Sequence, residues 1–207
     1  TVHRLIASGY LGDLVSIDVR GIASAFPNTD EPPHWRERRE LSGNNIMSLG
    51  IWYEALLRWV GEAKRVYASG KTVVASRVEN GAPVHLNIPD HLDVVADMYC
   101  GAQLHMQLSS VAHDADGPTA TLFGTNGVLR FADNRLWGMK RGDDNFAEIT
   151  IEESDRAAWR VEEEFVNAIR GIEQVKLTSF EDGVRYMEFT DAVSESIRNG
   201  QEIALPL

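Results

Sequence analysis

A single cysteine, Cys100, stands among 207 residues, so no internal disulfide framework is available and a reducing, cytoplasmic setting is expected. No stretch approaches the ~20 apolar residues that a membrane-spanning helix needs. The opening residues, Thr1-Val2-His3-Arg4-Leu5-Ile6, lack the apolar core of a signal peptide. Basic residues are outnumbered: 20 Lys and Arg against 31 Asp and Glu leave a formal charge of −11. Such a surface repels phosphate backbones and argues against nucleic acid as a partner. There is no Gly-rich strand-to-helix turn and no P-loop, so the sequence shows no nucleotide cradle of its own. His85 and His91 flank Pro89-Asp90 without a further ligand at a diagnostic interval, and no metal is expected.

What is present is a globular balance, with 43% hydrophobic and 25% charged residues, enough to build a core. Val2, Leu5 and Ile6 have helical spacing before Gly9. Residues 14–25 then alternate, with Val15, Ile17 and Val19 on one face of an expected strand. Leu92, Val94, Ala96 and Met98 alternate with polar neighbours. So do Leu104, Met106 and Leu108 after Cys100-Gly101, which predicts a long antiparallel hairpin. Cys100 reads as a buried structural thiol in this pattern. Asn80-Gly81 and Asn126-Gly127 mark further hairpin turns.

Helical spacing returns over 45–60, with Ile46, Leu49, Tyr53, Leu56, Leu57 and Val60 in one stripe. Near the end, Ala158, Val161, Phe165, Ala168 and Ile169 predict a buried stripe, with Glu162-Glu163-Glu164 as a solvated face beside the helix dipole. Ser179 and Asp182 predict a capping box for a last helix whose core face is Val184, Met187, Val193 and Ile197. The order of elements predicts an α+β fold, a large, mainly antiparallel open β-sheet with helices packed on one face.

The polar loop 26–43 is long enough to invite a functional reading. It carries His34-Trp35-Arg36 and runs into Asn44, Asn45 and Ser48 at the expected start of a helix. Free N–H groups there favour anions and hydroxyl-rich ligands. Gly50 within a helix costs about 1 kcal/mol relative to Ala, which suggests a close approach to its backbone. The plainer alternative is an ordinary N-cap and a packing glycine. His113, beside Asp114 and Asp116 at a strand end, is a weaker site candidate; His105 reads as a surface residue.

Together these segments resemble the C-terminal domain of the Gfo/Idh/MocA oxidoreductases. Residues 5–15 look like that family's entry from helix to strand. Trp35-Arg36 resembles its aromatic-arginine pair, and Ser42-Gly43-Asn44 stands where a glycine triplet is usual. Leu57-Arg58-Trp59-Val60-Gly61, residues 120–127, Phe180-Glu181-Asp182-Gly183 and residues 196–206 follow in the family's order.

The resemblance implies that 1–207 is a single substrate-binding and oligomerisation domain. Its nucleotide-binding Rossmann domain would lie upstream, and NAD or NADP would bind the full-length parent, not this chain alone. A sugar or polyol would be the substrate, and the open sheet face would join copies into a homo-oligomer. Substrate contacts would fall to Trp35, Arg36, Asn44, Asn45, Ser48 and Trp52. The family's helix carries Asp-x-Gly-x-His, the histidine serving as general base. Aligning on Gly50 puts Ser48 at the aspartate and Trp52 at the histidine. Serine is no base near neutrality, and tryptophan cannot accept a proton. Either His34, Tyr53 or a lysine of the missing domain takes over, or the parent does different or no redox chemistry, as a sugar-binding or regulatory relative would.

Overall fold

The computed structural model describes every residue except 24–25, 157–159 and 177 and the side chain of residue 154. Its centre is a nine-stranded sheet in the order β10-β9-β8-β7-β1-β6-β5-β2-β11. The strands are β1 (Leu14–Ile22), β2 (Ala63–Lys71), β5 (His91–Met98), β6 (Gln103–Ser109), β7 (Thr119–Gly124), β8 (Gly127–Ala132), β9 (Arg135–Lys140), β10 (Ala147–Ile149) and β11 (Ile203–Ala204). All neighbours pair antiparallel except β1 with β6. The short pair β3 (Ser76–Glu79) and β4 (Ala82–His85) stands apart. Its two-residue turn uses Asn80 and Gly81, both at positive φ, the backbone a tight hairpin requires. The expected α+β architecture is therefore present.

Period-2 patterning decides which face is buried. Leu92, Val94, Ala96 and Met98 on β5 and Leu104, Met106 and Leu108 on β6 enter the core together. Val15 does not follow Ile17 and Val19 inward. The β1–β7 register shifts between Leu14 and Ser16, and this bulge turns Val15 outward, 54% exposed. Cys100 is exposed, contrary to the expectation of a buried thiol, because it lies in the turn between β5 and β6 rather than within a strand.

The helices are α1 (Val2–Ala7), α2 (Arg39–Ser42), α3 (Leu49–Trp59), α4 (Val161–Ile169) and α5 (Phe180–Asn199). The rings of Tyr53 on α3 and Phe189 on α5 stack at 3.7 Å with 2° between their planes. Ser196 docks α5 on the sheet: its Oγ accepts from the Ala68 N–H at 2.9 Å and donates to the Gln201 carbonyl. The expected capping box at Ser179 and Asp182 forms.

Two helix faces differ from expectation. On α5 the core side is Phe189, Thr190, Ala192, Val193 and Ser196, while Val184 and Met187 are exposed. On α4 the stripe is outward: Val161, Phe165 and Ile169 are all exposed, and Ala158 lies outside the described residues. The acidic run is not wholly solvated either. Glu164 is buried, its carboxylate accepting from the Lys176 N–H at 2.9 Å and facing Arg160. A partnered carboxylate survives burial, whereas the apolar stripe stays exposed although Phe165 meets Phe180 of α5 edge-on at 6.3 Å.

Candidate functional site

Where α3 begins, the chain turns tightly. Met47 holds a positive φ of 48°, and the helix starts at Leu49 rather than at 45. Asn45 caps it from outside: its Oδ1 accepts from the Gly50 N–H at 3.1 Å. A Cβ on Gly50 would stand 2.8 Å from that oxygen, so the glycine makes room for Asn45 and not for a ligand. Asn44 is engaged too. It accepts from Arg39 and Ser194 and donates to Asp191, tying this turn to α5.

A cavity of about 560 Å³ opens beside the first turn of α3. Met47, Ser48, Ile51 and Trp52 form one wall, and Gly21, Ile22 and Ala23 at the end of β1 another. Val74, Leu86, Ile88, Pro89 and Asp90 close it from the β3–β4 side, with His34, Arg36 and Glu37 at the rim. Gly21 lets these walls meet. A Cβ there would lie 2.9 Å from Trp52 Nε1, 3.3 Å from Ser48 Oγ and 2.5 Å from Leu108, so any side chain would fill the floor.

Loop and hairpin are latched by charge. Arg77 on β3 donates from Nε and Nη2 to Glu37, and from Nη1 to the Asn28 carbonyl. Arg38 pairs with Glu79 on the same strand. The Arg77 and Glu37 side chains are only 10% and 19% exposed, where an ion pair is weakly screened. Asp90 is 6% exposed, and its two carboxylate oxygens each accept from one backbone N–H, of Val73 and Val74, at 2.7 Å. That clamp fixes the 72–75 segment as cavity wall.

Four residues read from the sequence as site candidates therefore meet at the cavity: His34, Arg36, Ser48 and Trp52. Five others lie elsewhere: Trp35, Asn44, Asn45, Tyr53 and His113. Trp35 is outside the lining, its ring under the Arg36 guanidinium at 4.2 Å. Asn44 and Asn45 brace the turn, as described. Tyr53 sits in the core at 2% exposure, its hydroxyl accepting from the Ala63 N–H at 2.9 Å; burial pushes its pKa up to about 12. His113 lies against Phe26, the rings 4.8 Å apart and tilted by 35°, outside the cavity lining, and His91 faces Asp93. Met47, Ile51, Arg77, Ile88 and Asp90 were not singled out in the sequence. Only the folded hairpin brings three of them to α3.

His34 has a defined polarity. Its Nδ1 accepts from the Arg36 N–H at 3.2 Å, and Glu37 accepts from the His34 N–H, closing a capping box. In the neutral ring the proton then rests on Nε2, so His34 holds one ring donor and no spare ring acceptor.

Among the described residues no group of three or more His, Cys, Asp or Glu could hold a metal, and no helix is long and apolar enough to cross a membrane. They also hold no dinucleotide cradle: α3 and α5 are entered from polar turns, not from a glycine-rich strand end.

No curated protein matches the chain. Solved structures do. A levoglucosan dehydrogenase in complex with NADH and L-sorbose is 18% identical, with a TM-score of 0.84 over 99% of this chain and 62% of its own. An NAD binding oxidoreductase from Klebsiella pneumoniae is 17% identical, with a TM-score of 0.83 over 100% of this chain and 62% of its own. The WlbA dehydrogenase from Bordetella pertussis, solved with NADH and UDP-GlcNAcA, is 19% identical, with a TM-score of 0.71 over 100% and 59%. These likenesses show a shared fold, and the chain spans about three fifths of the length of each. Residues 1–130 match the model of the GFO/IDH/MocA C-terminal domain, more than half of the sequence, and on that match the chain belongs to the Gfo/Idh/MocA family.

Proposed function

We propose that this chain is the substrate-side half of a cytoplasmic NAD(P)-dependent oxidoreductase acting on a sugar, polyol or related hydroxylated molecule. The observation that carries this reading is the convergence of Arg36, Ser48, Trp52 and His34 on one cavity beside the first turn of α3. Trp52 offers a ring for the C–H face of a sugar, Ser48 a hydroxyl, Arg36 and His34 donors. NAD or NADP would be held by a Rossmann domain beyond this chain, consistent with the missing cradle. On this reading the described lining supplies no base: Glu37 and Asp90 are engaged, and His34 Nδ1 accepts from the Arg36 N–H. The base would come from the partner domain, where a lysine is the family's usual helper. Tyr53 is withdrawn from that role by its burial and stacking. The exposed stripe of α4 gives such a domain an apolar surface.

The open sheet face would join copies of the protein. Tyr67, Val95 and Phe123 are exposed there among polar side chains. A homo-oligomer in light scattering is expected, and a strict monomer would remove this part of the reading.

The deciding experiment uses the intact protein. It should quench or enhance NADH or NADPH fluorescence on binding and should transfer hydride with some member of a sugar and polyol panel. Indifference to both nucleotides sinks the proposal. A second reading, a sugar-binding relative without turnover, is favoured by Ser48 and Trp52 standing where the family carries Asp and His. Ligand binding without any hydride transfer is its signature.

A further inference from the structure

The geometry points to a substrate that carries one carboxylate: a sugar acid rather than a neutral sugar. This rests on the cavity being the substrate site, as proposed above, and goes further by naming what the substrate must bear.

The cavity's two carboxylates are both engaged, Glu37 by Arg77 and the His34 N–H, and Asp90 by the Val73 and Val74 N–H groups. His34 Nδ1 is taken by the Arg36 N–H. Ser109 Oγ already accepts from the Val111 and Ala112 N–H groups. The groups left over include three N–H donors, beside the Ser48 hydroxyl, which can donate or accept. Among the described residues no carboxylate pairs with the Arg36 guanidinium, although acidic residues outnumber basic ones 31 to 20 in this chain. His34 keeps an Nε2–H. No described side chain or carbonyl accepts from Trp52 Nε1, which shares the cavity floor with Ser48 Oγ beside Gly21. A neutral polyol would leave the Arg36 charge without a counter-charge. A carboxylate only accepts, and it suits a set of donors.

Arg36 is the one cation lining the cavity without a carboxylate partner among the described residues: Arg77 is paired with Glu37, and Asp90 keeps its charge while held by two backbone amides. The Arg36 guanidinium carbon lies 4.2 Å from the Trp35 ring centroid, and a guanidinium fork suits a planar, two-oxygen acceptor. One guanidinium neutralises a monoanion. A phosphate ester with nearly two charges would be left with an excess, in a chain that already carries −11.

The test uses the intact protein with its nucleotide. Hydride transfer is compared for a uronic acid, the neutral sugar of the same configuration and the corresponding sugar phosphate, over several such sets. The expected result is a kcat/KM at least about tenfold higher for the acid than for its neutral counterpart, the scale of one charge-assisted pair. Arg36→Ala should pull the acid-to-neutral ratio towards one, and Arg36→Lys should restore part of it, keeping charge without the fork. A merely structural role for Arg36 would depress both substrates alike and leave the ratio unchanged; that overturns the inference. So does a neutral sugar or a phosphate turned over faster than the acid, with the oxidoreductase reading intact. Absence of nucleotide binding and of hydride transfer with every substrate defeats the underlying reading instead.

Discussion

Both ends of α3 open onto a cavity, and the two differ in what their polar groups face. At the C-terminal end, a space of about 490 Å³ is lined by Glu54, Arg58, Glu62, Thr178, Asp182 and Arg185. There every charge closes on a neighbour. Arg58 meets Glu54 and the Thr178 hydroxyl, which itself donates to Glu54. Arg185 lies between Glu62 and Asp182, and Asp182 is held below the usual carboxylate range by the Ser179 hydroxyl. At the N-terminal end the two carboxylates are engaged, while the Arg36 guanidinium has no carboxylate partner among the described residues. A surface needs only the first arrangement. The second leaves hydrogen-bonding capacity that a ligand can complete, which is why volume alone, similar at both ends, does not identify the site.

The contrast assumes that one rigid helix carries both ends, and the largest expected effect tests that assumption. Phe189→Ala removes the ring stacked on Tyr53 and should destabilise the protein by about 3–5 kcal/mol in urea unfolding. A loss below 1 kcal/mol would mean that the two ends are anchored separately. The next effect belongs to the N-terminal end only. Arg77→Ala leaves Glu37 uncompensated and unties β3–β4, at a cost of about 2 kcal/mol given the partial exposure of both partners. Amide exchange should quicken over 76–85. Unchanged exchange there would show that the latch is not what holds this wall.

Most of the sheet was legible because its signals are local. Alternation and a turn glycine suffice for β5–β6, β7–β8 and the Asn80-Gly81 hairpin. The failures have physical causes that do not show locally. A bulge between Leu14 and Ser16 flips Val15, and no residue there announces it. The α4 stripe has the right period but faces away from the core, because amphipathicity fixes a helix's apolar side and not what covers it. The polar run before α3 reads as a helix start, yet Met47 takes a left-handed turn and Asn45 caps from outside. The candidate site was half legible. Residues on the loop and helix were found, whereas Arg77, Ile88 and Asp90 join it only through a latch between segments some 40 residues apart in sequence.

Tyr53 sharpens the comparison at the middle of α3. Its hydroxyl accepts from the Ala63 N–H in the core, and Tyr53→Phe should cost about 1 kcal/mol near neutral pH by orphaning that donor. The pH dependence has a definite sign. Burial raises the folded pKa from 10.0 to about 12, so the unfolded chain loses this proton first. The Tyr53 contribution is complete below pH 10 and is lost as pH rises towards 12. In unfolding scans across that window the wild type should lose its advantage over Tyr53→Phe. Parallel curves would place the hydroxyl in contact with solvent.

The smallest effects discriminate best between the two ends. Arg58→Ala opens an exposed pair and should lower stability by only a few tenths of a kcal/mol, because solvent screens the charges and the side chain regains rotamer freedom. Arg36→Ala removes a cation that no described carboxylate holds and should change melting even less. The order reverses when ligand is added. A ligand that binds only the folded state raises stability by RT ln(1 + [L]/Kd), so a sugar acid should stabilise the Arg58→Ala protein as it does the wild type. The Arg36→Ala protein should respond weakly. Equal responses from both variants would mean that the two ends of α3 do not differ in kind, and that the uncommitted donors at its N-terminal end are ordinary surface groups.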